Sequence, residues 1–218
     1  MAMTPEHEEL EKDIRRRAEA RNFAGATTAA LEGYGPEIMG FLHAMHSREE
    51  AAADVFSLFA ESVWRGLPGF NWECSFRTWA YAIARRSSLH YRRDEGRRER
   101  KLSPLEESSA ISAIVMQVRT ATLSYLRTER RSRLTELRDA LPPGDRALLI
   151  LRVDRNLAWN DIARAMHEDE AAPLSGEHLK RESTRLRKRF QTIKEKLLEI
   201  GRREGLVGTD KDDGNAGA

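Results

Sequence analysis

Cysteine is almost absent from this sequence, and the long apolar runs that membrane proteins require are missing. Cys74 is the only cysteine, which excludes a disulfide within the chain and favours a reducing compartment. The first residues, MAMTPEHEELEKDIRRR, contain no apolar run and do not look like a signal peptide. No stretch reaches the roughly 20 apolar residues that a membrane-spanning helix needs. We therefore expect a cytoplasmic protein without membrane insertion.

The motifs of common enzyme active sites are also missing. The sequence has no glycine-rich phosphate loop, no G-x-S-x-G motif and no paired-carboxylate signature. His43 and His46 have a spacing that allows a shared metal ion on a helix, but no cysteine or carboxylate cluster completes a zinc site. Cys74 lacks an identifiable partner for nucleophilic catalysis. These absences predict a protein that is not an enzyme and that uses no cofactor and no metal ion.

Strand patterns are missing as well, and helical periodicity occupies most of the chain, which predicts an all-α fold. Thr4 and Pro5 mark the start of a helix that runs to about Glu19. A second helix is predicted from Ala24, with an interruption at Gly33 and Gly35–Pro36. Further helices are expected over residues 35–47, 47–67, 76–93, 111–141 with breaks, 145–155, 157–167 and 175–201, and Ser75 can cap the one that begins at Phe76.

Charge is distributed unevenly, although the formal net charge is only +2. Residues 77–101 carry nine Arg or Lys against three acids, and residues 175–203 carry ten against four. Two separate basic blocks on a nearly neutral chain are typical of two nucleic-acid-binding surfaces. The alternative interpretation is that both blocks are helix faces exposed to solvent. We expect two small helical domains at 1–93 and 111–206, a flexible charged linker at 94–110 and a disordered tail at 207–218.

The stretch CSFRTWAYAIARR, residues 74–86, combines aromatic residues with arginines in a chain in which only 7% of residues are aromatic. Aromatic rings can stack on unpaired bases, and arginines can bind phosphates. Helical spacing places one set of residues on a face that we expect to be buried: Phe76, Trp79, Ala80 and Ile83. The other set forms the predicted nucleic-acid surface: Arg77, Tyr81, Arg85, Ser88 and Arg92.

Residues 157–190 have the design of a helix-turn-helix. Leu157, Ile162, Ala163 and Met166 would give the first helix a buried face. The second helix has an apolar seam: Leu179, Ser183, Leu186, Phe190, Ile193, Leu197 and Ile200. Its opposite face is basic: His178, Lys180, Arg181, Arg185, Arg187, Lys188 and Arg189. A DNA-reading helix is held by its apolar side while its polar side enters the major groove. An ordinary helical hairpin is the alternative. The loop between the two helices is longer than the three or four residues that are usual in a helix-turn-helix.

Two stretches resemble one protein family. GLPGFNWECSFRTWAYAIARRSSLHYRR, residues 66–93, resembles region 2 of the bacterial sigma-70 family in its small two-domain extracytoplasmic-function (ECF) group, where S-F-R-T-W precedes an I-A-R helix. LPPGDRALLILRVDRNLAWNDIARAM, residues 141–166, is similar to the start of region 4, where L-P-x-x-x-R precedes an apolar helix. The resemblance covers about residues 27–93 and 132–200.

The resemblance implies a promoter-specificity subunit that binds bacterial core RNA polymerase and promoter DNA, both as duplex and as melted strand. The polymerase-binding surface would be Arg48, Asp54, Ser57, Glu61, Trp64 and Arg65. The minus-10 element would be melted and read by Asn71, Trp72, Glu73, Arg77, Tyr81, Arg85, Arg86, Ser88 and Arg92. The minus-35 element would be read in the major groove by His178, Lys180, Arg181, Thr184, Arg185 and Lys188.

The sequence departs from the family pattern in three places. Ser57 stands where Gln is common, Arg86 and His90 stand where Asn and Asp are usual, and the helix-turn-helix turn is expanded to HEDEAAPLS. An anti-sigma factor is a further candidate partner, and a sigma factor should be a monomer when free. A second hypothesis is a stand-alone helix-turn-helix regulator whose residues 1–93 act as a sensor or dimerisation domain. A third is a helical adaptor that does not bind DNA.

Overall fold

A computed structural model describes residues 4–46, 48–94, 109–128, 137–169 and 174–203, and these residues contain no β-strand. The helices are α1 (Pro5–Glu19), α2 (Phe23–Met45), α3 (Glu49–Gly66), α4 (Phe76–Asp94), α5 (Ser109–Thr128), α6 (Pro143–Leu149), α7 (Trp159–Met166) and α8 (Gly176–Arg203). A 3-10 turn at Leu67–Gly69 follows α3, and a π-helical stretch at Ile150–Asp154 follows α6. The predicted all-α fold is confirmed.

Helix α1 begins where the sequence predicted, but α2 does not break at its glycines. Thr4 Oγ1 accepts a hydrogen bond from the backbone N–H of His7 at 3.3 Å and caps α1. Helix α2 continues through Gly33, Gly35 and Pro36, so the predicted interruption is wrong. A Cβ at Gly33 would overlap the side chain of Leu10, and a Cβ at Gly35 would lie 3.1 Å from that of Val118. The glycines therefore let α1 and α5 approach α2 closely.

Helix α4 connects the first half of the chain to the second. It packs against α2 and α3 on one side and against α7 on the other. Phe76, Ala80 and Ile83 are buried as predicted and Trp79 is half-buried, but Tyr81 and Arg85 are buried too. Because both sides of α4 are covered, its polar side chains must find their hydrogen-bond partners inside the protein.

Helix α5 lies along α2 and α3. Its buried residues Ile111, Val115 and Val118 are spaced four and three apart, so they form one apolar stripe that faces those helices. Most of this segment falls within the second predicted domain, 111–206, but its helix packs on helices of the first half. Nearly all of the predicted linker at 94–110, and the whole predicted tail at 207–218, lie outside the described residues.

The second half of the chain packs α6, α7 and α8 together. Leu179, Ser183, Leu186 and Ile193 of α8 are buried, as the predicted seam requires. The Ser183 hydroxyl donates a hydrogen bond to Asn160 Oδ1 at 2.8 Å, which ties α8 to α7. Within the described part of the chain, every helix is too short or too polar to cross a membrane.

Candidate nucleic-acid interface

The N-terminus of α4 is capped by an acidic side chain of α1. The carboxylate of Glu11 accepts hydrogen bonds from the backbone N–H groups of Phe76 at 2.7 Å and Arg77 at 2.8 Å. Ser75 Oγ accepts a further bond from the N–H of Thr78 at 3.1 Å, which confirms the predicted Ser75 cap. Exposed N–H groups at a helix N-terminus bind phosphate, but here two of them are bonded to a carboxylate of the same chain.

The loop between α3 and α4 is held by aromatic contacts. Trp72 has a backbone φ of 60°, and the centroid of its ring lies 4.7 Å from that of Phe70. The guanidinium of Arg15 lies 5.6 Å from the Trp72 ring centroid. Phe70 also stacks on Trp79 at 4.6 Å, with 18° between the ring planes. A positive φ is costly for a bulky residue, so these contacts must hold the loop in shape.

Arg77 and Tyr81 bind an acidic residue inside the protein. The Tyr81 hydroxyl donates to Glu37 Oε1 at 2.6 Å, and Arg77 Nε donates to the two Glu37 oxygens at 3.1 and 3.2 Å. Arg77 Nη2 also donates to the carbonyl oxygen of Arg155 at 3.0 Å. Burial alone would raise the pKa of Glu37, but the bonds from Arg77 and Tyr81 lower it overall. The expectation that Arg77 and Tyr81 face outward is therefore wrong.

The residues of the predicted nucleic-acid surface in the C-terminal half of α4 also face the interior. Arg85 is only 7% exposed, and its Nη2 lies 3.0 Å from Glu168 Oε1 of the second half. Ser88 is buried, with its Oγ 2.8 Å from His46 Nε2. Arg92 is half-buried and donates to the carbonyl oxygen of Met45. The outward-facing stripe is wrong for these residues because α7 and the end of α2 cover the polar side of α4.

Residues of α4 and of the loop before it line one side of a groove of about 1000 Å³ between the two halves of the chain. Its apolar wall is formed by Phe70, Trp79 and Ile83. Polar and charged side chains from the first half form the rim: Ser62, Arg65, Asn71, Glu73, Arg86 and His90. The second half contributes Arg164, His167, Glu168 and Asp169. Aromatic rings beside cationic side chains are the chemistry that binds single-stranded nucleic acid.

The groove contains three residues of the predicted minus-10 set, namely Asn71, Glu73 and Arg86, and Trp72 lies between two of them in the sequence. Arg164 and His167 also line the groove, although neither belongs to the predicted strand-binding set. No local signal marks these two residues, because they reach the groove only when α7 packs on α4. The groove is therefore a product of the tertiary structure.

The predicted minus-35 residues lie on the exposed side of α8. All six are exposed: His178, Lys180, Arg181, Thr184, Arg185 and Lys188. Arg185 forms an ion pair with Glu182 at 2.6 Å, and Lys180 forms one with Glu177 at 2.8 Å. Arg189 differs from them, since it pairs with Asp145 of α6 at 2.6 Å and helps to hold α8 in place.

The predicted polymerase-binding residues lie on α3 and just before it. Arg48 and Arg65 are exposed, and the others are half-buried: Asp54, Ser57, Glu61 and Trp64. Arg65 pairs with Glu61 at 2.7 Å. Ser57 Oγ accepts a hydrogen bond from Arg119 Nη1 of α5 at 3.4 Å, so α5 reaches the edge of this surface.

Neither the pair of His43 and His46 nor the thiol of Cys74 forms a metal or nucleophile site in the part of the chain that the structure describes. Within the described residues, no group of three or more His, Cys, Asp or Glu side chains is arranged to hold a metal ion. His46 instead lies beside Ser88 in the interior. Burial raises the pKa of Cys74 to about 11, so its thiol is protonated at neutral pH.

A protein-family model matches part of the chain. Residues 30–98 match the family model described as sigma-70 region 2. The matched range contains most of α2, all of α3, the aromatic loop and α4, and hence the first-half wall of the groove. No curated protein and no solved structure matches the chain.

Proposed function

We propose that this protein is an RNA polymerase sigma factor of the ECF type. The match of residues 30–98 to sigma-70 region 2 supports membership of the sigma-70 family. The protein binds core RNA polymerase, directs it to specific promoters and initiates transcription by minus-35 binding and minus-10 melting. The observation that carries the proposal is that the matched residues include the aromatic and cationic wall of the groove. A region 2 of this family implies interaction with core polymerase and with promoter DNA.

In this proposal the groove receives the melted minus-10 strand. Asn71, Trp72, Glu73 and Arg86 are the residues of the predicted minus-10 set that lie in or beside it. Unstacking a base costs a few kcal/mol, and stacking on an aromatic side chain returns about 1–3 kcal/mol per base. The two contributions are similar in size, so single contacts in the groove should control how readily the promoter opens.

Helix α8 would read the minus-35 duplex. Its buried seam holds it against α7, and its basic face is open. This is the arrangement that a major-groove recognition helix requires. The exposed residues near the start of α3 and at its end, Arg48 and Arg65, together with Glu61, would belong to the surface that binds the polymerase.

Transcription with purified bacterial core polymerase on a library of promoter sequences tests the proposed function. We expect the protein to bind duplex DNA weakly alone and to select a defined pair of promoter elements when core polymerase is present. A stand-alone regulator would instead bind duplex DNA without polymerase, as a symmetric dimer on a two-fold site. That second result would contradict the proposal.

Replacing Arg86 by alanine should impair promoter opening on the selected promoters. A charge-assisted contact to a phosphate contributes about 1.5–3 kcal/mol, so we expect at least about tenfold slower opening. Permanganate footprinting of thymines measures it, and a template with a pre-melted bubble should restore most of the activity. Arg93→Ala, an exposed arginine two turns further along α4, is the control. Equal effects of the two substitutions would rule out a role of Arg86 in the groove.

Replacing Arg181 or Arg185 by alanine should relax the preference at one or two minus-35 positions. An arginine that binds guanine with two hydrogen bonds provides about 1–3 kcal/mol of discrimination. Lys188→Ala should instead weaken binding to all sequences and reduce its salt dependence. Binding assays of the polymerase complex on promoter variants separate the two effects. If all three substitutions cause the same loss on every sequence, α8 does not read bases.

A further inference from the structure

Helix α1 lies before the residues that match the family model, yet it supplies the cap of α4. Glu11 Oε2 accepts the N–H of Phe76, while Glu11 Oε1 accepts the N–H of Arg77 and the hydroxyl of Tyr34 at 2.9 Å. Three donors therefore converge on one carboxylate. A carboxylate suits this position because it is acceptor-only and has about four lone-pair sites.

One turn further along α1, Arg15 contacts the other end of the same loop. Its guanidinium lies over the ring of Trp72, whose positive φ marks a backbone conformation that needs outside support. Helix α1 thus holds the loop at both ends, through Arg15 at Trp72 and through Glu11 at the first residues of α4. Nothing in the loop's own sequence supplies these two contacts.

We propose that Glu11 is a positioning residue for the loop of residues 71–75, which the proposed function assigns to capture of the melted strand. The inference rests on that proposed function. Glu11 contacts no DNA in this scheme. It fixes where α4 begins, and thereby sets the position of Asn71 and Glu73 relative to Arg86 across the groove.

The substitution Glu11→Gln tests this role because it preserves the shape of the side chain but leaves only one of the two oxygens that accept hydrogen bonds. A glutamine amide has one acceptor oxygen, and its NH₂ group would face another N–H donor. At least one of the two α4 amides must then lose its partner. Glu8→Gln removes the same charge from an exposed position of α1 and is the matched control. Tyr34→Phe removes the third donor without changing the α4 amides.

Amide hydrogen exchange of the full chain is the first measurement. A hydrogen bond to a charged group contributes about 1.5–3 kcal/mol, so exchange at Phe76 and Arg77 should be at least about tenfold faster in Glu11→Gln. Exchange at these amides should be unchanged in Glu8→Gln and in Tyr34→Phe. Unchanged exchange in Glu11→Gln would overturn the proposal, whatever the protein does with DNA.

Promoter opening by the polymerase complex is the second measurement. Glu11→Gln should slow opening of duplex promoters about tenfold, and a pre-melted bubble should restore it, while Glu8→Gln behaves as the wild type. Faster exchange with normal opening would overturn the positioning role. If the wild type opens no promoter, both the proposed function and the role of Glu11 in strand positioning are wrong. The exchange measurement does not depend on promoter opening, so it still shows whether Glu11 caps α4.

A second variant keeps the test decisive if Glu11→Gln does not fold. Arg15→Ala removes the contact over Trp72 and leaves the Glu11 cap in place. It should slow duplex opening in the same direction and be rescued by the same bubble template. Arg16→Ala, an exposed arginine on the same helix, is its control. Wild-type opening by Arg15→Ala would overturn the proposal that α1 positions the loop.

Discussion

Alanine in place of Tyr81 should lower the free energy of unfolding by about 4 kcal/mol. The side chain is 0% exposed, and its ring makes an edge-to-face contact with Phe41 at a centroid distance of 5.3 Å. Removing the ring leaves a cavity between α2 and α4, and it also takes away the hydroxyl that donates to Glu37 at 2.6 Å. Urea denaturation followed by circular dichroism measures the loss.

Tyr81→Phe separates the two contributions to this effect. Phenylalanine keeps the ring and its packing but cannot donate to Glu37, whose carboxylate still has Arg77 as a partner. We expect this variant to lose about 1–2 kcal/mol. A Tyr81→Ala protein within about 1 kcal/mol of the wild type would contradict the buried position, since surface substitutions usually have effects of that size or less.

Acidification should destabilise the folded protein through His46 by about 3 kcal/mol between pH 6.5 and 4. Burial, together with the charges of Arg92 and Arg146, lowers the pKa of His46 from 6.5 to about 4. As the pH falls through 6.5, the unfolded chain binds a proton at this histidine and the folded chain does not. Proton binding therefore favours unfolding, and the loss is complete once the pH passes below the folded pKa.

Measuring the free energy of unfolding as a function of pH checks this effect. The variant His46→Gln should lack most of the slope in this window, whereas His90→Gln, at an exposed position on α4, should retain it. Glu37 contributes only at the acid end of this window, because its folded pKa is lowered and its stabilisation begins to be lost where the unfolded carboxyl takes up a proton, near the usual value of 4.5. Both histidine variants retain Glu37, so its contribution is the same in each. Equal slopes in both histidine variants would contradict the assignment to His46.

Local features of the sequence were sufficient to predict where many of the helices lie. Thr4 and Ser75 cap the helices that they were predicted to begin, because a cap depends on the few residues that follow it. Four members of the predicted α8 seam are buried, and Phe190, Leu197 and Ile200 are half-buried, since helical spacing places them all on one face. The resemblance of residues 66–93 to sigma-70 region 2 agrees with the family match over 30–98.

Periodicity identifies which residues share a face, but it does not identify what covers that face. Arg77, Tyr81 and Arg85 do share one side of α4, yet that side meets Glu37, Arg155 and Glu168 rather than solvent. A polar helix face has the same pattern whether water or a polar partner covers it. The packing of both α2 and α7 on α4 therefore determined which arginines are buried and which line the groove.

The same distinction explains α2 and the loop before α4. Gly33 and Gly35 act as helix breakers in isolation, but in the folded chain the missing side chains make room for Leu10 and Val118. The carboxylate that caps α4 comes from Glu11, more than sixty residues earlier in the sequence. Contacts over such distances leave no local pattern, because they depend on how whole helices pack against each other.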